Sequence, residues 1–179
     1  MQGLKKNIKL KGNITLKNFI NLTPKEAEMV RAWRNNVNIK KWMYKSHVIS
    51  VKEHADFVRK LRKNSDKFCW LIKYKKEDIG VIGLNRVDFC NKNAFLGIYR
   101  NPHIEMPGCG RLLGKAMFEL IFNIAGLHTL KLEVIENNKK ALNFYKSLGF
   151  REEGRLSGFV YRDRKWKDVI IMGILNKKP

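Results

Sequence analysis

Three stretches of this chain carry residue types whose spacing could do chemistry. The first is Glu105-Met106-Pro107-Gly108-Cys109-Gly110-Arg111-Leu112-Leu113-Gly114. Glycines let a backbone turn sharply and come close to a ligand. Successive N–H groups running into a helix N-terminus attract an anion, and Arg111 adds a positive charge beside them. Taken alone, such a loop is equally a plain strand-to-helix turn. No Gly-Lys-Ser/Thr follows it, and its glycines miss the spacing of a dinucleotide fingerprint. The second stretch places Asn138, Ala141 and Tyr145 at i, i+3 and i+7, on one face of a helix. Asn and Tyr beside a small Ala suit a polar ligand; a buried Tyr bonded to a backbone carbonyl is the structural alternative. The third is the end of a strand in which Leu130, Leu132, Val134 and Glu136 share one parity. Glu136 then extends a buried row, and a desolvated carboxylate there has a raised pKa and can act as a base or orient a water. Its alternative role is a charge facing a helix N-terminus. Glu133 has the opposite parity and is expected to be exposed.

Single residues add to this set. His54 lies between Val51 and Val58 on the apolar face of a helix. It reads as a core histidine, or as a substrate ligand and alternate base. Arg34 could reach substrate phosphates or make a surface ion pair. Arg86 and Tyr99 lie on neighbouring strands and are further substrate contacts. Met43 and Tyr44 could wall a sugar or a base, whereas Trp42 reads equally as core. Cys109 sits in the glycine loop, where a helix N-terminus would lower its thiol pKa.

The elements that must position these residues follow from local signals. A strand is expected over Ile14–Ile20. Thr23 caps a helix with Pro24 at its first position, running to about Arg34. Ser50-x-x-Glu53 is a capping-box pattern opening a second helix to about Lys63, with Val51, Ala55, Val58 and Leu61 inward. Strands follow over Lys67–Tyr74, Ile79–Phe89 and Asn93–Arg100, joined by short turns that predict antiparallel pairing. A third helix spans about Arg111–Ala125, with Leu113, Ala116, Met117, Leu120 and Ile124 inward. A strand covers Thr129–Ile135. A fourth helix ends at Leu148, with Gly149 at its C′ position. Phe150–Arg162 and Lys165–Leu175 read as a hairpin turning near Asp163. Strands mixed with helices in this order predict a mixed sheet with helices packed on it, α/β or α+β in class.

Composition bounds the function. The chain has 179 residues, which fits one domain over residues 1–179, with residues 1–12 expected to be loose. Its formal net charge is +21, which attracts polyanions. The lysines are spread along the chain rather than massed in one basic block, so a nucleic-acid-binding module is the weaker account of them. It also gives no reason for Asn138, Ala141 and Tyr145 to share a face. Cys69, Cys90 and Cys109 match neither a zinc template nor a disulfide framework; no metal is expected, and a reducing cytoplasm fits. No apolar run reaches the ~20 residues of a membrane span, and the N-terminal residues lack a signal-peptide core.

The two main stretches together resemble the GNAT (GCN5-related N-acetyltransferase) superfamily. The superfamily loop Gln/Arg-x-x-Gly-x-Gly/Ala is similar to Glu105-x-x-Gly108-x-Gly110, departing at Glu105. Its pattern Asn-x-x-Ala-x-x-x-Tyr-x-x-x-Gly-Phe is matched by Asn138, Ala141, Tyr145, Gly149 and Phe150. The resemblance implies a mostly antiparallel seven-stranded sheet flanked by four helices, with a splay between the fourth and fifth strands. It implies acetyl-CoA as cofactor, and direct attack of an amine on the thioester in a ternary complex. Cofactor contacts would come from Ile98, Tyr99, Arg100, Met106, Gly108, Cys109, Gly110, Arg111, Leu112, Leu113, Gly114, Asn138 and Tyr145. Tyr145 would protonate the leaving thiolate, with Glu136 as base or water-orienter. Substrate contacts would come from Arg34, Met43, Tyr44, His54, Arg86 and Tyr99. Segments such as Trp33-Arg34-Asn35, Trp42-Met43-Tyr44 and Glu153-Gly154-Arg155 resemble one branch in particular. This is the N-acetyltransferases of pseudaminic acid biosynthesis, which act on the 4-amino group of a UDP-linked amino-dideoxy sugar. Protein N-terminal (ribosomal-protein type) and small-amine acetyltransferases on the same fold are the alternatives, and a homodimer is a further expectation.

Overall fold

The computed structural model describes residues 2–176. Its sheet has eight strands, in the order β1-β2-β3-β4-β5-β6-β8-β7. They are β1 (Ile8–Leu10), β2 (Ile14–Asn18), β3 (Phe68–Tyr74), β4 (Glu77–Asp88), β5 (Asn93–Arg100), β6 (Thr129–Ile135), β7 (Arg151–Arg162) and β8 (Lys165–Leu175). All neighbours pair antiparallel except β5 and β6, which are parallel. The eighth strand is β1, in the segment expected to be loose. It pairs with β2, and Leu4 just before it is buried. The short turn at Gly12 and Asn13, both at positive φ, folds β1 back onto β2.

Helices cover both faces. On one lie α1 (Pro24–Asn35), the four-residue α2 (Val37–Lys40) and α3 (Val51–Lys63); on the other lie α4 (Cys109–Phe118) and α5 (Lys139–Ser147). This is why β3 is buried from Phe68 to Ile72 without alternation: a strand covered on both faces needs apolar residues on both parities. Cys69, Leu71, Val81 and Tyr99 meet Val30, Trp33, Ile39 and Leu61 of the first layer. Trp70, Ile72, Ile82, Leu96, Leu132 and Val134 meet Leu113, Ala116, Met117 and Tyr145 of the second.

Local signals place most of these helices. Thr23 and Glu26 form a reciprocal capping box at α1, with Pro24 inside it. Ser50 Oγ accepts from the Glu53 amide; Glu53 turns instead to His47, 2.9 Å away, so this box is only half formed. The inward face of α3 is His54, Phe57, Val58 and Leu61, leaving Val51 and Ala55 exposed. The third expected helix departs from α-geometry at Glu119, where a π-turn runs to Ile124. The Ala125 amide reaches back to Leu120 O at 2.8 Å. The extra residue in the turn rotates the face, so Ile121 is buried and Ile124 is 41% exposed.

Two close contacts fix the region that carries the site. At Gly80 on β4, a Cβ would stand 2.6 Å from Tyr99 O, so β4 and β5 approach more closely than any side chain allows. At Gly114 on α4, a Cβ would stand 2.9 Å from the Leu148 side chain, so α4 and the end of α5 share that space.

Glu26 ties α1 to the sheet. Its carboxylate takes Lys17 of β2 at 2.6 Å and Lys73 of β3 at 3.2 Å. Burial alone would raise its pKa, but the two lysines and the Thr23 cap outweigh it and hold the carboxyl at about 2. A folded pKa below the unfolded one stabilises above the unfolded value and loses that contribution as pH falls through the folded value. Glu26→Gln should therefore cost about 1–3 kcal/mol at neutral pH. In urea denaturation, the gap from the parent should close as pH drops from about 4.5 towards 2. A gap that does not change with pH would remove the ion pairs as its source.

Candidate active site

The site begins where the sheet comes apart. β5 and β6 pair over only three positions, Asn93 with Thr129, Ala94 with Leu130 and Phe95 with Lys131. Beyond them β5 keeps its register with β4 as far as Arg100, and β6 keeps its register with β8 as far as Ile135. Each strand follows its other neighbour, and the two halves of the sheet diverge. The edge of β5 over Leu96–Arg100 is left without a strand partner towards β6, and Gly97 is exposed in mid-sheet. An open edge of this kind offers N–H and C=O groups to an extended, amide-bearing ligand.

The glycine loop lies on the α4–α5 face. Gly108, at φ 77°, is the N-cap of α4 and offers no side chain to cap it. Among the described residues, the Gly110 and Arg111 amides have no acceptor, while the Leu112 amide returns to Gly108 O at 3.1 Å. Gly108 faces open space, and Arg111 is exposed. This is a helix N-terminus with free donors and a cation at its mouth, suited to an anion.

Other residues of the loop are occupied otherwise. The Cys109 amide bonds Met106 O at 3.2 Å. Its thiol is buried against Ile79 O, and burial pushes the thiol pKa up rather than down. Leu113 is core. Gly110 makes room for the Phe144 ring and Gly114 for Leu148. These four positions build the seat of α4, and of their groups the Gly110 amide is the one left free among the described residues. Met106 and Ile98 pack on the same core, and Arg100 is exposed beyond them.

α5 brings up the second motif. Asn138 caps it, Oδ1 accepting from the Ala141 amide at 3.3 Å. Tyr145 is 7% exposed, its ring between Phe144 and Phe150. Its hydroxyl has no hydrogen-bond partner among the described residues, and burial raises its pKa well above the usual phenol value. It is a protonated donor with nothing to donate to.

The two acids at the end of β6 exchange their expected roles. Glu136 stands just past the strand, which ends at Ile135, so strand parity no longer governs it. Its carboxylate is one-third exposed. It accepts from the Asp168 amide at 3.2 Å and from Arg155 Nη1 at 3.3 Å. Arg155 also holds Asp168 at 2.8 Å, and Asp168 holds the Gly158 amide at 2.9 Å across a bulge in β7. Glu136 thus joins β6 to the last hairpin; it is not a carboxylate in an apolar row.

Glu133, expected to be exposed, is 18% exposed. It accepts from the Tyr44 hydroxyl at 2.7 Å and from Arg86 at 2.6 Å. A bulge in β4, with Arg86 at φ 50°, aims that guanidinium across Phe95, 3.4 Å above the ring. Tyr44, Arg86 and Glu133 therefore meet at the apex of the splay, on the α1–α3 face. The sequence signal for Glu133 was the odd acid in a strand; parity assigned it to the other face, which is a covered face and not a solvent one.

The remaining substrate candidates gather around the segment between α2 and α3. Met43 and Tyr99 pack in the apolar cluster beneath α1–α3. Arg34 donates to Lys45 O at 3.0 Å, its Nη1 is buried without a partner, and burial pushes its guanidinium pKa down. It supports the loop; it makes no surface ion pair. Arg162 of β7 donates to Met43 O, Ser46 Oγ and Tyr44 O, the last at 2.7 Å. His54 is not drawn into this group. Its ring neighbours are Phe19 and Phe57, and burial lowers its pKa.

A splayed sheet, a capless helix N-terminus at the loop and a buried tyrosine on the following helix make up one arrangement. Residues 18–151 match the acetyltransferase (GNAT) domain. The chain is a GNAT acetyltransferase. It is 34% identical over 137 residues to acetyltransferase PseH of Campylobacter jejuni, covering 76% of this chain and 84% of that protein. The structure of Campylobacter jejuni PseH in complex with acetyl coenzyme A matches with a TM-score of 0.70 at 26% identity, over 92% of this chain and 99% of that one. The structure of Vibrio cholerae spermidine N-acetyltransferase with CoA and spermine matches with a TM-score of 0.83 at 25% identity, over 93% and 97%. The acetyltransferase's cofactor is acetyl-CoA. The free amides of Gly110 and Arg111 and the unpaired edge of β5 fit its phosphates and its amide-bearing arm. No helix of the described residues is long and apolar enough to cross a membrane.

Arg162 holds the Met43–Ser46 segment over the splay. Arg162→Ala should raise the rate of trypsin cleavage at Lys45 by about tenfold, because local opening no longer has to break those bonds. Parent and variant cleaving at equal rates would show that the loop is held by other contacts.

Proposed function

We propose that this acetyltransferase transfers acetyl to the 4-amino group of a UDP-linked amino-dideoxy sugar, as in pseudaminic acid biosynthesis. The observation that carries the reading is charge on the acceptor side of the splay. From Met29 to Lys52 the chain has six cations, Arg31, Arg34, Lys40, Lys41, Lys45 and Lys52, and no Asp or Glu. A polyamine acceptor calls for carboxylates there, whereas a nucleotide diphosphate calls for cations. The one acid on that side of β6, Glu133, is already paired with Arg86. Likeness to PseH supports the same substrate class. Likeness to the spermidine enzyme supports the same fold, and a small-amine acceptor is the alternative reading it favours.

Acetyl-CoA, when bound, supplies the activated acyl group. The amides of Gly110 and Arg111 would take its phosphates, Asn138 and the β5 edge would line its arm, and Tyr145 would face its sulfur. A thiol of pKa roughly 8.5, by analogy with cysteine, leaves more readily with a proton donor at hand. The Tyr145 phenol, protonated and unpartnered, fills that role. On the acceptor side, Tyr44, Arg86 and Glu133 position the sugar. Glu136 acts through Arg155 and Asp168 to hold the hairpin, and the amine's proton passes to water at the open mouth of the splay.

Thiol release from acetyl-CoA should be fastest with a UDP-linked 4-amino sugar, by about 100-fold or more in kcat/KM over peptides and polyamines. Turnover of polyamines or peptides with none of the sugar would overturn the reading. Tyr145→Phe should lower kcat by about 10–100-fold while acetyl-CoA still binds. Glu136→Gln should lower it by less than about tenfold. The reverse ranking would return Glu136 to the role of base.

A further inference from the structure

Beside the splay, the structure has a concave surface that the acetyl-transfer site does not use. A cavity of about 350 Å³ lies between α2 and the β7–β8 turn, lined by Lys40, Lys41, Arg162 and Arg164, with Val37, Ser46, Tyr161 and Asp163. Four cations face one carboxylate. A second hollow of about 80 Å³ shares Lys41, Arg162 and Asp163, and adds Lys167, Trp42, Ile135 and Asn137. Ile135 and Asn137 flank Glu136 at the end of β6. The hollow therefore opens at the mouth of the splay.

The charge here is uncompensated. Among the described residues, Lys40, Lys41, Arg164 and Lys167 make no ion pair, whereas Arg86 and Arg155 on the neighbouring strands each do. Arg162 spends Nη2 on the Met43 and Tyr44 carbonyls and Nη1 on Ser46 Oγ. The backbone holds the cluster in shape. Asp163 and Arg164, at φ 50° and 60°, form the tight hairpin turn that brings Arg164 and Lys167 back beside Arg162. Asn36 caps α2, setting Lys40 and Lys41 opposite them. Like charges gathered in a hollow repel one another, and a multivalent anion relieves that cost.

This surface is not the cofactor's. The α4 N-terminus lies on the sheet face that carries Leu132, Val134 and Tyr145. The basic hollow lies on the other, next to Ile39 and Met43. The sheet separates the α4 N-terminus from this cluster of cations.

We propose that the basic hollow between α2 and the β7–β8 turn holds the diphosphate of the nucleotide-linked acceptor, an inference that rests on the substrate reading above. Lys40, Lys41 and Arg164 pair with the phosphate oxygens, and the sugar extends past Ile135 and Asn137 into the splay.

The test uses the full chain with saturating CoA, so that the α4 site is filled. Binding of UDP, inorganic pyrophosphate and uridine is measured calorimetrically for the parent and for Lys40→Gln/Lys41→Gln/Arg164→Gln. Arg162 is left in place because it holds the loop. The triple variant should bind UDP and pyrophosphate about tenfold or more weakly, with uridine unaffected. Its KM for a UDP-linked amino sugar should rise by a similar factor, while the KM for acetyl-CoA does not move, which also reports an intact fold. Unchanged UDP and pyrophosphate affinity in the variant, or no pyrophosphate binding to the parent, overturns the proposal. The substrate reading fails separately. If no UDP-linked amino sugar is turned over but diphosphate binding is still lost in the variant, the hollow stands as a diphosphate site without that substrate. If the sugar is turned over with the same KM by both proteins, the substrate stands and the hollow does not.

Discussion

The open centre of this sheet depends on a hydrogen-bonded ladder that stops after three residue pairs. β5 and β6 are the only parallel neighbours in the sheet, and each is paired more extensively on its other side. A parallel pair with few rungs gives way when each strand is drawn along the twist of a longer antiparallel partner. The unpaired groups on β5 would be a liability in an ordinary sheet. Here they leave backbone donors and acceptors free in the middle of the sheet. The close approach at Gly80 keeps β5 on β4, and the Glu136–Arg155–Asp168 set keeps β6 on the last hairpin. The gap is held open from both sides.

The two faces of that gap present their donors in different ways. On the α4–α5 face, donors come from backbone: a helix N-terminus without a cap, opened by a left-handed glycine. On the α1–α3 face they come from side chains, mostly arginine and lysine, arranged by Arg162 and by the bulge at Arg86. The net charge of +21 is thus not all unstructured surface. Part of it stands as unpaired cations in a hollow beside the splay, and part is consumed in holding the loop that covers it.

The tyrosine on α5 shows what burial does to an ionisable group. Set among Phe144 and Phe150, Tyr145 resists ionisation and has no partner for its proton among the described residues. In the unfolded chain it would be an ordinary phenol. Cys109 meets the opposite fate from the one its helix N-terminus suggests, because its side chain turns inward to the β4 backbone, where desolvation outweighs the dipole.

The sequence by itself determined the elements and the family. Thr23 and Ser50 cap the helices they precede, Asn93–Arg100 and Thr129–Ile135 are strands with those bounds, and the Asn138–Phe150 pattern marks the helix that presents Tyr145. These signals act between residues a few positions apart, so they survive without knowledge of the fold. Only the tertiary structure decided what each side chain meets. Parity put Glu133 on the opposite face from Leu132 and Val134 but could not say that both faces of β6 are covered, nor that the strand ends before Glu136, which it therefore misplaced. The π-turn after Phe118 exchanged Ile124 for Ile121, and β1 found its place only because β2 had a free edge. Period and capping fix direction along one element; which layer lies in that direction depends on contacts between residues far apart in the chain.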